Sequence, residues 1–207
     1  AAKGWTLEAG CAVYRAFDSL DEPRDVAKRL PKDDAEFLDT AIGIYGGNGF
    51  QHVNGSLRRG QGLYPGEKKA VRTLDAAIDS SPLPQDTTLW RGADGTEMFH
   101  PSWLESSLVG AEWSDPSLTS TSANATVADS FSLPDINPKP ILMRVIAPAG
   151  TGALRIGNYG RGGIGREAEV LPGRNNRYRV IGDHGVVKGV RRIDVEVIPG
   201  DHGPVPE

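Results

Sequence analysis

From Asp34 onward, apolar residues recur at helical spacing, with Phe37, Leu38, Ala41, Ile42 and Tyr45 on one face. Asp33 or Asp34 is the expected N-cap. The run Gly46-Gly47-Asn48-Gly49 is expected to stop this helix. A short second helix should follow with Phe50, Val53 and Leu57 inward, and a third over residues 67–79 with Val71, Leu74 and Ile78 on one side. Ahead of these, residues 1–32 are polar and weakly patterned, with a short helix predicted within residues 18–29. "SSPLPQD", residues 80–86, breaks the helical period.

Beyond the break the period becomes two. "TTLWRG" (87–92), "SLTSTS" (117–122), "PILMRVIAP" (140–148), "REAEVL", "NRYRVIG" and "RRIDVEVI" are predicted strands. In the last, Ile193, Val195 and Val197 alternate with Arg192, Asp194 and Glu196, which predicts one buried and one wet face. Residues 124–131 fit one or two helical turns between strands. Helices first and strands later favour an α+β fold over a doubly wound sheet. The expected organisation is an N-terminal extension or accessory helix over 1–33, a catalytic domain over 34–200 and a tail over 201–207.

Composition narrows the picture. A length of 207 residues suits one domain, and Gly 26 with Pro 15 suits many turns. Net charge −4 gives no overall nucleic-acid footprint, although Arg155, Arg161, Arg166, Arg174, Arg177 and Arg179 form a candidate local basic patch. Cys11 is alone, so no intramolecular disulfide is expected. The four histidines show no zinc spacing, so no metal is expected. No apolar run approaches membrane-spanning length, and no signal-peptide pattern is present. The start at Ala-Ala-Lys, without Met, fits processing or excision from a longer chain.

The candidate chemistry lies in the strand-rich half. "GNYGRGGIG", residues 157–165, lacks a Lys-Ser/Thr ending and precedes a strand, so it is a loop of successive turns and not a phosphate loop. Glu167 and Glu169 follow it two residues apart, and on a strand such residues share a face. Paired carboxylates suit chemistry at an anomeric carbon, one stabilising an oxocarbenium-like sugar and the other handling a proton. The plain structural alternative is a solvated surface pair. Arg91, directly before Gly92, can fork onto a diphosphate, and the glycine would let a ligand approach the backbone. The alternative there is an ordinary salt-bridged arginine. Ser120 and Ser122 would share a strand face and orient a carboxylate, unless "LTSTS" is only a hydroxyl-rich edge strand.

The ordered motifs "LWRG", "SLTSTS" and "GREAEVLPGRNNRYRV" resemble those of the mono-ADP-ribosyltransferases of the Arg–Ser–Glu class, a fold of many bacterial toxins and effectors. Phe131, eleven positions after Ser120, and the spacing Tyr45, Phe50, Asn54 agree with that family. The resemblance implies two packed, antiparallel-rich sheets with N-terminal helices and an NAD cleft between them. It implies that Arg91 holds the NAD diphosphate or adjacent ribose and that Gly92 bonds the nicotinamide amide through its backbone. Ser120 would position Glu169, which would bond the nicotinamide ribose and stabilise the oxocarbenium ion, and Thr121 and Ser122 would join Ser120 in binding the NAD. Phe131, Tyr45, Phe50 and Asn54 would lie near the NAD. Glu167 at the first position of the pair goes with arginine acceptors in that family.

The resemblance thus implies an enzyme that transfers ADP-ribose from NAD to an arginine of a target protein and is secreted or injected to act in a target cell's cytosol. Three alternatives share the motifs. These are an NAD glycohydrolase with water as acceptor, a transferase acting on nucleic acid, and an inactive NAD-fold binding module. The loop departs from relatives by carrying Gly and Ile where a bulky aromatic often faces the target, with Tyr159 nearby.

Overall fold

The structure is a computed structural model that describes residues 17–100, 102, 105–157 and 168–207. Five helices and eight strands carry the fold among these residues. The helices are α1 (Pro23–Ala27), α2 (Lys32–Ile44), α3 (Phe50–Arg59), α4 (Pro65–Asp79) and α5 (Ala125–Ser130). The strands are β1 (Thr87–Asp94), β2 (Glu112–Ser114), β3 (Thr121–Ser122), β4 (Pro140–Ala147), β5 (Ala153–Arg155), β6 (Glu169–Pro172), β7 (Arg177–Val187) and β8 (Val190–Ile198). The α+β class expected from the pattern is therefore the one found.

Helix α2 begins at Lys32 with Pro31 as N-cap, so Asp33 and Asp34 lie inside the first turn and neither is the cap. Both still favour that turn by sitting at the positive end of the helix dipole. Asp34 also accepts a hydrogen bond from Thr73 Oγ1 on α4 at 2.6 Å. The glycine run does not simply stop α2. Residues Tyr45–Gly49 form a π-helical turn, kinked at Gly47, that leads directly into α3. Leu38, Ala41, Ile42 and Tyr45 pack with Ala70, Leu74, Ala77 and Ile78 of α4, as their 3.6-residue spacing requires.

The eight strands follow the order β2-β7-β8-β4-β1-β3-β6-β5. All neighbours are antiparallel except β4 and β8. Between β1 and β3 the register rests on one pair, Trp90 with Ser122. That seam divides a five-strand group from the group β3-β6-β5, and the sheet curls so that both line one core. Ala153 and Val170 of the smaller group pack with Leu89, Met143, Tyr178, Ile193 and Val195 of the larger. The next residues along, Leu154 and Leu171, point the other way into the α2–α4 helices. The smaller group thus has an apolar layer on each face. Helix α5, capped by Asn124 accepting from Thr126 N–H at 3.0 Å, covers Trp90 and Leu142 on the outer face of the larger group.

Several local expectations change. Only Thr121 and Ser122 of "SLTSTS" are in a strand, and Glu169 is the first strand residue of "REAEVL". Ala168 has φ 44°, in the left-handed region, so regular two-residue alternation does not reach back across it. Glu167 lies outside the described residues, so its expected shared face with Glu169 is followed no further back than Ala168. Asp194, expected on a wet face, is buried because Arg144 grips it at 2.8 and 2.7 Å and His184 Nε2 lies 2.9 Å away.

The candidate basic patch also breaks up. Arg174 is buried against Asp75 at 2.7 Å, and Arg179 pairs with Glu112 at 2.6 Å. Arg155 is stacked on Phe17, while Arg161 and Arg166 lie outside the described residues. Among the described residues no helix is long and apolar enough to cross a membrane.

Candidate active site

A cavity of about 390 Å³ opens along the seam between β1 and β3. Each wall comes from a different element. The π-helical turn and the start of α3 deliver Tyr45, Gly46 and Phe50, and β1 delivers Trp90, Arg91 and Gly92. The segment entering β3 brings Ser120, Thr121 and Ser122; α5 brings Val127 and Ala128, with Phe131 as its C-cap; β6 brings Glu169. The π turn matters here. It rotates the chain so that Tyr45 and Phe50 meet edge to face, with ring centroids 6.5 Å apart. Phe131, 51 % exposed, and Phe50, 42 % exposed, form an aromatic rim.

Inside, the polar groups converge. Tyr45 Oη and Ser120 Oγ lie 2.9 Å apart, and Arg91 Nη1 donates to the Ser120 carbonyl at 2.8 Å. Burial raises the Tyr45 phenol above its ordinary pKa. Hydrogen bonds from Ser120 and Asn54 work against that rise, the Glu169 carboxylate adds to it, and Arg91 opposes it. Tyr45 is therefore a neutral hydroxyl at physiological pH, able to donate as well as accept. Glu169 pairs in register with Ser122, and Ser122 with Trp90, so one row across the seam carries the carboxylate.

Two of the expected site residues tie the cavity walls together. Asn54 is absent from the lining. Its side chain accepts from Leu118 N–H at 3.1 Å and donates to Leu118 O at 3.1 Å and to Tyr45 Oη at 3.3 Å. It staples α3 to the segment that leads to Ser120. Thr121 Oγ1 donates to Val170 O at 2.7 Å, fixing β3 on β6.

Gly92 lines the cavity, but a methyl group there would meet Ala128 O at 2.1 Å, Ser132 N at 2.7 Å and Phe131 C at 2.9 Å. The close seat of α5 by itself requires glycine at this position. Glu167 and the loop over residues 158–167, with Tyr159, lie outside the described residues.

Sequence reasoning passed over Trp90 and Arg58. Arg58 lies four residues after Asn54, one helical turn along the same face. It borders a second cavity of about 230 Å³, with Glu97, Asp115 and Trp113 among its walls. Arg58 binds Asp115 through Nε at 3.2 Å and Nη2 at 2.9 Å. Burial pushes the Asp115 carboxyl up, but Arg58 and Ser117 outweigh it and hold the group below the usual carboxylate range. Thr119 and Tyr178 also line this space, and neither buried hydroxyl has a well-formed hydrogen bond. Burial raises the Tyr178 phenol, keeping it neutral. Arg91 belongs to both cavities, so they adjoin across one guanidinium.

A model of the family described as ADP-ribosyltransferase exoenzyme matches residues 27–198. Exoenzyme T of Pseudomonas aeruginosa is 35 % identical over 102 residues, which are 49 % of this chain and 21 % of that protein. The chain thus spans about a fifth of that relative's length. Plx2a, an ADP-ribosyltransferase toxin from Paenibacillus larvae, superposes with a TM-score of 0.69 at 19 % identity, covering 90 % of this chain and 95 % of Plx2a. The Vis ADP-ribosyltransferase of Vibrio splendidus, solved in complex with agmatine, gives 0.60 at 20 % identity over 92 % of this chain and 88 % of Vis. The family match covers the helices, the seam and the strands that build both cavities, and the chain belongs to the ADP-ribosyltransferase exoenzyme family.

Proposed function

We propose that this chain transfers ADP-ribose from NAD to an arginine side chain of a target protein, with release of nicotinamide. The observation that carries the reading is the adjoining pair of cavities with Arg91 as their common wall. A diphosphate held by that guanidinium would leave nicotinamide mononucleotide in the larger cavity, beside Glu169 and Ser120. The adenosine half would enter the smaller one, where the hydroxyls of Thr119 and Tyr178 are available to it.

In this reading the bond between the ribose anomeric carbon and the nicotinamide nitrogen breaks, and nicotinamide leaves with the electron pair. The Glu169 carboxylate stabilises the oxocarbenium ion that remains. The acceptor guanidinium is almost fully protonated and a poor nucleophile. A second carboxylate, Glu167, accepts its proton as the new carbon–nitrogen bond forms. Glu167 is also the residue behind the choice of arginine, and the agmatine complex of Vis, a neighbour by fold, carries the same guanidine chemistry. The acceptor protein would lie in the cytosol of a cell that receives this chain.

The test incubates labelled NAD with the protein, with and without agmatine, for wild type, Glu169→Gln and Glu167→Gln. Wild type should label agmatine, Glu169→Gln should lose both transfer and nicotinamide release, and Glu167→Gln should lose transfer while release persists. Release without an agmatine adduct in wild type would instead point to a glycohydrolase or another acceptor. Full hydrolysis by Glu169→Gln would refute its role.

A further inference from the structure

Residues 17–20 precede every motif that pointed to the site, yet they reach its base. Phe17 and Leu20 are buried in the sheet core with Ala153, Ala168 and Val170. Leu20 N–H closes a turn onto Phe17 O at 3.1 Å. The Arg155 guanidinium, at the end of edge strand β5, lies over the Phe17 ring, 4.0 Å from its centroid. Its Nη1 donates to Phe17 O at 3.3 Å, and its Nη2 is 3.9 Å from the Asp18 carboxylate. One side chain therefore engages the ring, the carbonyl and the following acid.

The contact continues to Glu169. A Cβ on Gly157 would stand 2.7 Å from Phe17 Cζ and 3.2 Å from Glu169 N, so ring, glycine and catalytic strand already touch. Ile156 and Gly157 N–H both donate to Glu169 O, at 3.0 and 3.3 Å. Glu169 opens β6 directly after left-handed Ala168, whose carbonyl accepts from Ala123 N–H at 3.0 Å. Its backbone is held by these two amides and by its register pairing with Ser122.

We infer that Phe17 and Arg155 are positioning residues that wedge the 156–157 backbone under Glu169 and so set where its carboxylate stands in the cavity. The catalytic consequence rests on the transferase reading above; the mechanical one does not. Neither residue lines the cavity, so loosening them displaces Glu169 without removing a wall. A misplacement near 1 Å lowers a rate by up to about 100-fold.

The experiment compares wild type with Phe17→Leu, which keeps an apolar side chain but no ring, and Arg155→Lys, which keeps the charge but no planar group. Nicotinamide release is measured against NAD concentration, normalised to NAD-binding sites counted by calorimetry. Backbone amide exchange is measured on the same samples. We expect kcat to fall roughly 10- to 100-fold in both variants with KM within about twofold. Ile156 and Gly157 amides should exchange at least about tenfold faster while Leu142 in β4 keeps its protection.

Unchanged kcat together with unchanged Ile156 and Gly157 protection overturns the inference. So does a loss of protection that spreads equally to β4, which would mean core packing alone. A parallel rise in KM, marking general deformation of the cavity, would do the same. If wild type cleaves no NAD, the transferase reading falls, and amide exchange by itself still decides whether the brace exists.

Discussion

Replacing Gly92 by alanine adds one methyl group where the structure has no room for it. The new Cβ would lie 2.1 Å from Ala128 O, and Ser132 N and Phe131 C are also under 3.0 Å away. All three are backbone atoms, so no side chain can rotate aside. To restore an ordinary contact of 3.4 Å, the C-terminal end of α5 must recede by about 1.3 Å from β1. Overpacking of this kind costs about 1–3 kcal/mol, and a rigid backbone neighbour puts Gly92→Ala near the upper figure. For a domain of this size that corresponds to a fall in Tm of about 6–12 °C.

The same movement carries Val127, Ala128 and Phe131, which line the larger cavity, so NAD turnover should fall at temperatures far below Tm. Thermal unfolding followed by circular dichroism gives the first quantity, and nicotinamide release at 20 °C or so, set from the usual mesophile Tm range, gives the second. If Gly92→Ala unfolds at the wild-type temperature, the close seat of α5 is wrong, and so is the account of why glycine stands there.

Other outcomes follow from the same geometry. Arg91→Ala should weaken NAD binding by about 1.5–3 kcal/mol, the worth of a charged hydrogen bond, as read by calorimetry; equal affinity would move the diphosphate elsewhere. Asp115 has a lowered folded-state pKa, because Arg58 and Ser117 outweigh its burial. Its stabilisation is therefore present above the unfolded value of about 3.9 and lost as pH falls through the folded one. Urea midpoints of Asp115→Asn should consequently lose less than wild type between about pH 5 and 2, and parallel curves would contradict this. Arg174→Met strands the buried Asp75 carboxylate and should cost about 3–5 kcal/mol, while Arg174→Met with Asp75→Leu should recover most of it. Equal losses in the single and double variants, measured by urea unfolding, would exclude a buried ion-pair effect.

Much of this was legible in the chain because local rules and packing agree. The spacing of Leu38, Ala41 and Ile42 marks α2, and the alternation of Ile193, Val195 and Val197 marks β8, because each pattern meets a real apolar layer. The cavity residues Tyr45, Arg91, Ser120, Phe131 and Glu169 were reached by motif order, and they do meet. Strands β2 and β5, three residues each, were missed because so short a run carries no period. Arg174 looked like surface charge because its partner Asp75 is 99 residues away on α4. The left-handed backbone of Ala168 was not legible, because an alanine gives no local sign of it. The packing reason for glycine at position 92 was hidden for a related reason. Its neighbour is a helix that follows 30 or so residues later in the chain, and sequence does not display close approach.

The strand order has a consequence for assembly. Central strand β4 takes one partner, β1, from much earlier in the chain and the other, β8, from its last described strand. Until Val190–Ile198 exists, Leu142, Met143 and Val145 sit on an open edge with half of their backbone groups unpaired. Folding of this sheet must therefore wait until residues 190–198 have been made, and contacts this distant close slowly. A chain truncated before residue 190 should present an open apolar strand edge to its neighbours and aggregate, although every described helix and the Arg91 and Glu169 strands would already have been made.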